Sequence, residues 1–332
     1  MFSLDGYSIR EMIYESGHSQ VFRGWRTGDA QPVVIKTPSS SRFSVRENLR
    51  YQNEYNLLAA LHLSRIVKVH DLVQYRSGFA IIEEDYGACD LDQWLREHHL
   101  ALPEFLTVAI QMAEGLDQMH GQRIIHKDLH PANVLIHPKT AQVKLTDFGL
   151  STLIAVETQD ACAPELIEGN LPYVSPEQTG RMNRAIDYRT DLYSLGVCYY
   201  RMLTGTLPFV TNDPLEMVHC HIARPPVAPA VLNATIPPVL SELVMKLLEK
   251  KAEDRYQSAY GVMQDLIAVQ AAVDSGEPPP KLELGRCDVS GQFQVAHQLY
   301  GRNRETRLLL DAFDRITVGR SELVLVGGYS GI

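Results

Sequence analysis

A short polar loop between two apolar runs constrains this chain more than any other feature. The stretch IIHKDLHPANVLI, residues 124–136, places the carboxylate of Asp128 five residues before the amide of Asn133. Further on, the segment KLTDFG carries a second carboxylate, Asp147, directly after another short apolar run. Such runs are typical of short buried strands. The pattern predicts that strands hold these three oxygen-bearing side chains in neighbouring loops.

The two halves of the chain have different predicted secondary structure. Residues 1–85 are mostly strand with one helix, and residues 90–272 are mostly helical. The β-rich segments are Val21–Trp25, Pro32–Lys36, Ile66–Tyr75 and Phe79–Ile82. Helical spacing of apolar residues occurs over Ser44–Leu61, Leu106–His120, Asp191–Thr204, Leu240–Lys250 and Ser258–Ala271. The sequence therefore predicts an α+β fold with a β-rich lobe at 1–85 and a helical lobe at 90–272.

Length and charge narrow the classes of function. A chain of 332 residues is long enough for about two domains. Its hydrophobic fraction of 45% and charged fraction of 21% are ordinary for a globular protein. The net charge of -9 and the pI near 5.7 argue against nucleic acid as the main partner.

Cysteine usage and the N-terminal segment predict where the protein resides. The five cysteines are an odd number, and the sequence contains no CxxC pair, which indicates a reducing, cytoplasmic compartment. The first residues, MFSLDGYSIREMIYESG, lack the basic segment and apolar run of a signal peptide. No apolar run approaches the ~18 residues that a membrane span needs.

The C-terminal end has the composition of a linker followed by the start of another domain. Residues 274–281, DSGEPPPK, have the composition of a linker. Residues 298–319 carry a helical pattern, and the following SELVLVGGYSGI is a buried-strand run ending in glycines. A strand before a Gly-rich turn is how a phosphate-cradling loop begins, although the required Gly-Lys-Ser/Thr is absent. We expect that the chain was cut inside a second nucleotide-binding domain; the alternative is a Gly-rich tail without that meaning.

The residue types fit the needs of phosphoryl transfer from ATP. That reaction needs a cation on the phosphates, ligands for Mg²⁺, a group that orients the acceptor and an apolar slot for adenine. Lys36 ends the strand-like VVIK, and Glu54 lies on the following predicted helix, where its carboxylate can orient the ammonium group. Asp147 and Asn133 offer the oxygen donors that Mg²⁺ prefers. Asp128 is then the base that orients the acceptor.

The region from about residue 7 to about residue 270 resembles the eukaryotic-like serine/threonine protein kinase family. The resemblance rests on VVIK, HKDLHPAN, DFG, the Ser175-Pro176-Glu177 that matches Ala-Pro-Glu, the helix start DLYSLG and the late Arg255. It implies an ATP- and Mg²⁺-dependent transfer of phosphate to a protein substrate. It also implies that Glu177 pairs with Arg255. The implied catalytic residues are Lys36, Glu54, Asp128, Asn133 and Asp147, with Asn133 and Asp147 as metal ligands.

Further segments resemble a narrower group within that family. YVSPEQTGRMNRAIDYRTDLYSLGV, DPLEMVHCHIARPP, DRYQSAYG and LYGRNRE look like the N-terminal kinase domain of large bacterial multidomain sensors. In those proteins an AAA-type ATPase, a GAF domain and a histidine kinase follow in the same chain. The resemblance implies a kinase domain at 1–272, a linker at 273–290 and a truncated ATPase piece at 291–332. The other domains of such a longer chain are the implied partners.

Several positions depart from the family pattern. Aligning Val21 with the valine of the Gly-rich loop puts Tyr14, Ser16 and Ser19 where glycines are usual, with only Gly17 nearby. His130 replaces a lysine, and a reference imidazole pKa near 6.5 predicts a mostly neutral side chain at pH 7. Asn170 replaces a threonine, and its amide side chain can still bridge to Asp128. These departures leave open an alternative, a pseudokinase that binds nucleotide and regulates the attached ATPase and histidine kinase. A small-molecule phosphotransferase of similar fold is disfavoured. It has no use for the peptide platform, the segment Ser175–Glu177 whose match includes Arg255.

An adenine slot can be assigned along the same pattern. The resemblance implies apolar walls and backbone contacts at the segment that joins the lobes. In the sequence IIEEDYGA, Glu83 falls where an apolar residue is usual, which leaves the register of this segment uncertain by one position. The expected nucleotide-binding residues besides Lys36 are Ile13, Ser16, Gly17, Val21, Val34, Glu84, Tyr86 and Leu135.

Overall fold

The computed structural model describes residues 4–16, 19–39, 45–76, 78–153, 167–182, 184–276 and 283–288, together with Leu308 and Arg315. The chain divides into two compact units, residues 1–289 and residues 290–332. In the second unit only Leu308 and Arg315 are described, and both are helical. The predicted strand and Gly-rich turn at the C-terminus lie outside the described residues, as does Gly17.

The N-terminal part of the first unit is an antiparallel sheet of five strands in the order β1-β2-β3-β5-β4. Helix α1 packs against this sheet, where it contacts β4 and β5. Strand β4 begins three residues later than predicted, because Ile66 makes only an isolated bridge to Leu145. The bounds are β1 Tyr7–Glu15, β2 Ser19–Arg26, β3 Pro32–Pro38, α1 Val45–Ala60, β4 Val69–Tyr75 and β5 Gly78–Glu84.

The two faces of this sheet carry different kinds of side chain. Along β3, Val33 and Ile35 are buried in a small apolar cluster on one face. Because side chains alternate along a strand, Val34 and Lys36 point to the other face. The register pairs Val34 with Glu83 and Lys36 with Ile81 across β5. The alternation therefore places polar side chains on the face that looks toward the rest of the unit.

The C-terminal part of the first unit is helical around one large apolar core. Helix α3 buries Leu106, Ala109, Ala113 and Leu116 of the predicted stripe, and it packs against α8. Helix α4 ends at Gly205, whose φ of 73° is easily adopted by glycine. The helices are α2 Leu91–Glu97, α3 Leu102–Gly121, α4 Arg189–Thr204, α5 Pro214–Ala223, α6 Pro229–Leu232, α7 Pro238–Leu247 and α8 Ala259–Ser275.

Five short strands lie beside the helices and carry the polar loops. The sheet β6-β8-β9 and the pair β7-β10 are both antiparallel. Their bounds are β6 Cys89–Asp90, β7 Ile124–Ile125, β8 Val134–Ile136, β9 Val143–Leu145 and β10 Thr152–Leu153. The loop from β7 to β8 holds Asp128 and Asn133, and the loop after β9 holds Asp147, as the apolar runs of the sequence predict.

A buried ion pair joins distant parts of the helical lobe. Arg255 donates from Nη1 and Nη2 to Oε1 and Oε2 of Glu177, at 2.7 and 2.8 Å. Thr190 donates to the same carboxylate at 2.9 Å. Burial raises the pKa of Glu177, but the guanidinium of Arg255 more than offsets this, so the pKa lies below its usual value. The pairing that the resemblance implied is thus present.

Residues 283–288 contact the helical lobe. Asp288 accepts hydrogen bonds from Gln257 N at 2.7 Å and from Ser258 Oγ at 2.7 Å. Gly285 N donates to Asp265 Oδ2 at 2.7 Å. These contacts anchor part of the predicted linker segment to the N-terminal end of α8. Among the described helices, none is long and apolar enough to cross a membrane.

Candidate active site

A cavity of about 380 Å³ lies between the five-stranded sheet and the loops of the short strands. Such a volume lies at the lower end of the range for small-molecule sites. Most of the predicted nucleotide-binding residues line it, namely Ile13, Val21, Val34, Lys36, Glu84, Tyr86 and Leu135, together with Asn133 and Asp147. The structure therefore brings residues from both lobes to one cavity.

A second cavity, of about 250 Å³, shares part of this lining. Lys36, Asn133 and Asp147 border both cavities. The second one adds Glu54, Asp128, His130 and the segment Gly169-Asn170. Ser16, predicted to bind nucleotide, lines this second cavity with Asp128 and is absent from the lining of the first.

Lys36 is held between two carboxylates. Its Nζ donates to Glu54 Oε1 at 2.6 Å and to Asp147 Oδ1 at 2.9 Å. Burial lowers the pKa of Lys36, but the charges of Asp147 and Glu54 outweigh burial and hold the pKa well above its usual value. Burial also acts to raise the pKa of Asp147, and Lys36 reverses that shift, so the pKa of Asp147 falls below its usual value. Both groups are charged at neutral pH.

Glu54 ties helix α1 to the loop after β9. Besides the bond from Lys36, its Oε1 accepts one from Phe148 N at 3.1 Å. Phe148 is buried, and its ring lies 5.0 Å from the ring of His126. A Cβ at Gly149 would lie 2.5 Å from Nε of Arg50, so the guanidinium group packs directly on that glycine. The position of the segment Asp147–Gly149 thus depends on two residues of α1.

Asp128 has a specific set of neighbours. Its Oδ1 accepts a hydrogen bond from the backbone N–H of Asn170 at 2.9 Å. His130 Nε2 lies 3.7 Å from the same oxygen. Gly169 has a φ of +101°, and a Cβ there would lie 3.3 Å from Asp128 Oδ1. The sequence predicts that the amide side chain of Asn170 can bridge to Asp128. In the structure the backbone makes that contact, which any residue but proline can supply.

Asn133 connects the loop that holds Asp128 to the loop that holds Asp147. Its Nδ2 donates to Asp128 O at 2.9 Å, which leaves the amide oxygen as the end of the side chain for a cation. Its backbone carbonyl accepts a bond from Thr146 N at 3.0 Å, directly before Asp147. Two oxygen donors of this type fit Mg²⁺ that also takes phosphate oxygens and water. Among the described residues, no group of three or more His, Cys, Asp or Glu could hold a metal by itself.

Asp191 at the start of α4 supports the catalytic loop from beneath. This buried carboxylate accepts bonds from His126 N at 2.9 Å and Lys127 N at 2.8 Å, and His120 Nε2 lies 2.9 Å from it. Lys127 has a φ of 66°, a conformation that costs a non-glycine residue free energy and that these bonds stabilise. The sequence pattern identifies this aspartate only as part of a helix start.

Gln178 supports the same loop from the other side. Its Nε2 donates to Lys127 O at 2.7 Å, and its Oε1 accepts from Ser175 N at 3.0 Å. The side chain thus links the peptide platform to the residue before Asp128. This role is not predictable from the sequence, because a single glutamine after the Ser-Pro-Glu triplet carries no periodic or spacing signal.

His130 lies beside Asp128 in the lining of the second cavity. Burial lowers the pKa of His130, and the charges of Asp128 and Asp147 only partly oppose this, so the pKa lies below its usual 6.5. The ring centroid lies 5.9 Å from that of Tyr173. The side chain is therefore neutral at pH 7, as its reference pKa had suggested.

The segment that joins the lobes is held by polar contacts. Tyr86 donates from its hydroxyl to Leu135 O at 3.2 Å, and Lys144 pairs with Glu84. Arg23 donates to Asp85 Oδ2 at 2.8 Å and to Ala88 O at 2.9 Å. These contacts fix the backbone that borders the cavity at 83–88.

Glu83 stands out in the lining of the first cavity. It is only 4% exposed, and its Oε1 has no hydrogen-bond partner among the described residues. Burial raises the pKa of Glu83 to about 8; Lys36 lowers it, while Glu54, Asp147 and Glu84 add to the rise. At neutral pH the side chain is a neutral carboxylic acid.

Comparison with known proteins bears on this geometry. A family model described as protein kinase domain matches residues 7–267. Serine/threonine-protein kinase PksC of Streptomyces coelicolor is 28% identical over 298 residues, covering 86% of this chain and 52% of PksC. Serine/threonine-protein kinase PknB of Mycobacterium leprae is 32% identical over 236 residues, covering 70% of this chain and 37% of PknB.

A third relative has a different name. Hybrid signal transduction histidine kinase G of Dictyostelium discoideum is 28% identical over 315 residues, covering 69% of this chain and 9% of that protein. This chain therefore spans from under a tenth to about half of the length of these three relatives.

Proposed function

This chain belongs to the protein kinase family, and on that premise we propose that it transfers the γ-phosphoryl group of Mg-ATP to a serine or threonine hydroxyl of a protein. The observation that carries the proposal is the bridging of Glu54 and Asp147 by Lys36, with Asp128 and Asn133 beside them in adjoining cavities. The names of the bacterial relatives agree with this reaction.

Each residue has a role that its contacts allow. The charged Lys36 attracts the phosphates, and Glu54 keeps it aimed into the cavity. Asn133 and Asp147 would hold Mg²⁺, which neutralises charge on the phosphates when bound. Asp128 accepts the hydrogen bond of the acceptor hydroxyl and orients its oxygen toward phosphorus. In this type of reaction, positioning and electrostatic stabilisation supply most of the rate gain.

The alternative of a nucleotide-binding pseudokinase is the weaker proposal. Its support is the absence of glycine at Tyr14, Ser16 and Ser19. Ser19 N donates to Ser16 Oγ at 3.0 Å, and Ser16 N donates to Ser19 O at 2.8 Å. These bonds join residues 16 and 19 without the usual glycines at those two positions. Since the residues for transfer are also assembled, catalysis is the better proposal.

The experiment is a transfer assay with a matched binding measurement. The wild type and Asp128→Asn are incubated with Mg-ATP labelled at the γ-phosphate, alone and with generic protein substrates. We expect the wild type to transfer label and the variant to lose it by a factor of about 100 or more. Both proteins should bind ATP with similar affinity, because Asp128 does not line the first cavity. Nucleotide binding without transfer by the wild type would favour the pseudokinase.

We further propose that the chain is the kinase part of a longer bacterial signalling protein in the cytoplasm. The resemblance of LYGRNRE and of the final strand-like run to the start of an ATPase domain supports an N-terminal piece of such a domain at 291–332, after a linker at 273–290. The relative that is named a hybrid histidine kinase supports partner domains of that kind in the same chain. A protein substrate, Mg²⁺ and a link to a two-component system belong to this proposal.

A further inference from the structure

The inner wall of the nucleotide cavity carries an acid that the proposed chemistry does not use. Glu83 lies at the end of β5, opposite Val34 on β3 and Val69 on β4. The Lys36–Ile81 pair lies two residues along the strands, about 7 Å away. Lys36 marks the phosphate end of the cavity, so Glu83 and Val34 mark the end that receives the base.

Glu83 cannot meet its hydrogen-bonding needs within the described protein. Its Oε1 is buried and has no partner there. A buried polar atom without a partner costs free energy, so the carboxyl group gains stability when it turns toward a ligand in the cavity that supplies the missing bond. The cavity itself is the space that this side chain lines.

We propose that Glu83 is a specificity-determining residue, whose carboxyl group hydrogen-bonds the exocyclic amine and the adjacent ring nitrogen of adenine. This inference rests on the proposed use of ATP. It assigns Glu83 a role that the nearby Lys36 and Asp147 do not have, because both of those side chains are engaged in charge pairs. Glu83 acts on recognition of the base and takes no part in transfer.

The protonation state of Glu83 makes it complementary to adenine. A protonated carboxyl group offers one donor and one acceptor side by side. The 6-amino group of adenine donates, and the neighbouring N7 accepts. The neutral acid can satisfy both at once, whereas a carboxylate would place a second acceptor against N7.

The charged groups around Glu83 determine when it stays neutral. Lys36 faces it from β3, Glu54 from α1, Asp147 from the loop after β9, and Glu84 follows it on its own strand; β4 places Val69 opposite. Burial is the largest effect, and three of these four charges are carboxylates that oppose ionisation. The acid therefore remains mostly protonated at pH values below its pKa of about 8.

The experiment compares two nucleotides on the full 332-residue chain. Dissociation constants are measured by calorimetry at pH 7 for Mg-ATP and for the Mg complex of purine riboside triphosphate, which lacks the 6-amino group. The wild type should prefer ATP by about tenfold, the effect of one hydrogen bond. Glu83→Met should prefer ATP by a factor at least about fivefold smaller than the wild type does, since neither bond from residue 83 can form.

Two further variants sharpen the result. Glu83→Gln keeps a donor and an acceptor and should retain a preference of about fivefold. Glu242→Gln changes an exposed carboxylate on α7, outside the lining of both cavities, and should keep the tenfold preference of the wild type. Raising the pH from 7 to 9 should weaken ATP binding by the wild type relative to Glu83→Gln, because only the wild type ionises.

The outcomes separate the inference from the proposed function. Equal binding of ATP and the analogue by the wild type, or an undiminished preference in Glu83→Met, would overturn the role of Glu83 while leaving the kinase proposal intact. A wild type that binds neither nucleotide would overturn the proposed function and this inference together. A preference that requires Glu83 supports both.

Discussion

The backbone N–H of Asn170 donates a hydrogen bond of 2.9 Å to Oδ1 of Asp128. This contact holds the proposed base against the loop that leads into the peptide platform. It depends on the main chain at 170, and the amide side chain has no part in it. The identity of the residue at 170 therefore matters less than the presence of an N–H.

Two substitutions at 170 test this relationship. Asn170→Ala keeps the N–H and should leave kcat within about twofold, whereas Asn170→Pro removes it and should lower kcat by about tenfold. Proline fits the local φ of -82°, so the loss isolates the missing donor. Steady-state transfer assays measure both variants. Equal activity of the two variants would show that the contact with Asp128 does not matter for transfer.

Glu54 is predicted to act through Lys36. Glu54→Gln removes a charge from the pair, while Asp147 still holds Lys36, so the fold should survive. We expect kcat/KM for ATP to fall by about 10- to 100-fold, corresponding to about 1.4–2.7 kcal/mol. The matched control is Glu242→Gln, an exposed glutamate on α7 that lines neither cavity. A normal kcat/KM in Glu54→Gln would contradict the proposed role of the carboxylate.

His130 should make transfer sensitive to pH. Because burial places the pKa of His130 below 6.5, the imidazole is neutral at pH 7.5 and becomes a cation only as the pH falls below that value. A cation near the transferring phosphate lowers its barrier. His130→Lys should therefore raise kcat at pH 7.5 by about threefold or more. The ratio of variant to wild-type kcat, followed from pH 8 to pH 5.5, should fall as His130 gains its proton; a constant ratio would contradict this prediction.

The buried Arg255–Glu177 pair should dominate the stability of the helical lobe. Arg255→Met leaves the carboxylate of Glu177 buried with Thr190 as its remaining side-chain donor. We expect a loss of about 3–5 kcal/mol in the free energy of unfolding, measured by urea denaturation at pH 7. Arg184→Met removes a guanidinium from an exposed pair with Glu253 and should cost under about 1 kcal/mol.

The pH dependence of that pair has a definite sign. The folded-state pKa of Glu177 lies below the ordinary value of 4.5. The stability it contributes is therefore present above pH 4.5 and is lost as the pH falls through the folded-state pKa. The difference in stability between the wild type and Arg255→Met should shrink below about pH 4.5. A difference that stays constant down to pH 3 would contradict this assignment.

Local patterns in the sequence predicted the parts of the site that lie on regular elements. Alternation along VVIK is enough to place Lys36 on the cavity face of β3, and the apolar runs around Asp128 and Asn133 are enough to place both in one loop. The helical pattern at 44–61 put Glu54 on α1. These predictions need only the periodicity of strands and helices and the choice of residue types.

Contacts between distant segments could not be predicted in the same way. The bonds that the backbone N–H groups of His126 and Lys127 donate to Asp191 require α4 to pack against a loop about 65 residues earlier, and no periodicity encodes that packing. The same holds for Gln178, and for the use of the backbone at Asn170 instead of its side chain. These contacts follow from the tertiary fold, so only the structure shows them.

Glu83 should reduce the stability of the fold in a pH-dependent way. Its pKa rises from 4.5 to about 8 on folding, so the unfolded chain releases the proton at a lower pH than the folded one. Below pH 4.5 the acid is neutral in both states and has no electrostatic cost. As the pH rises from 4.5 to about 8 the folded state loses stability, and above 8 the loss is constant.

Glu83→Met should therefore be more stable than the wild type by about 2–4 kcal/mol at pH 8, and by much less at pH 4.5. Urea denaturation without nucleotide at both pH values measures the difference, with Glu242→Gln as the exposed control. The same variant should lose the preference for ATP, so stability and base recognition would move in opposite directions, as is common for residues kept for function. A destabilised Glu83→Met at pH 8 would mean that the acid is satisfied in the free protein and has no bond left to offer a base.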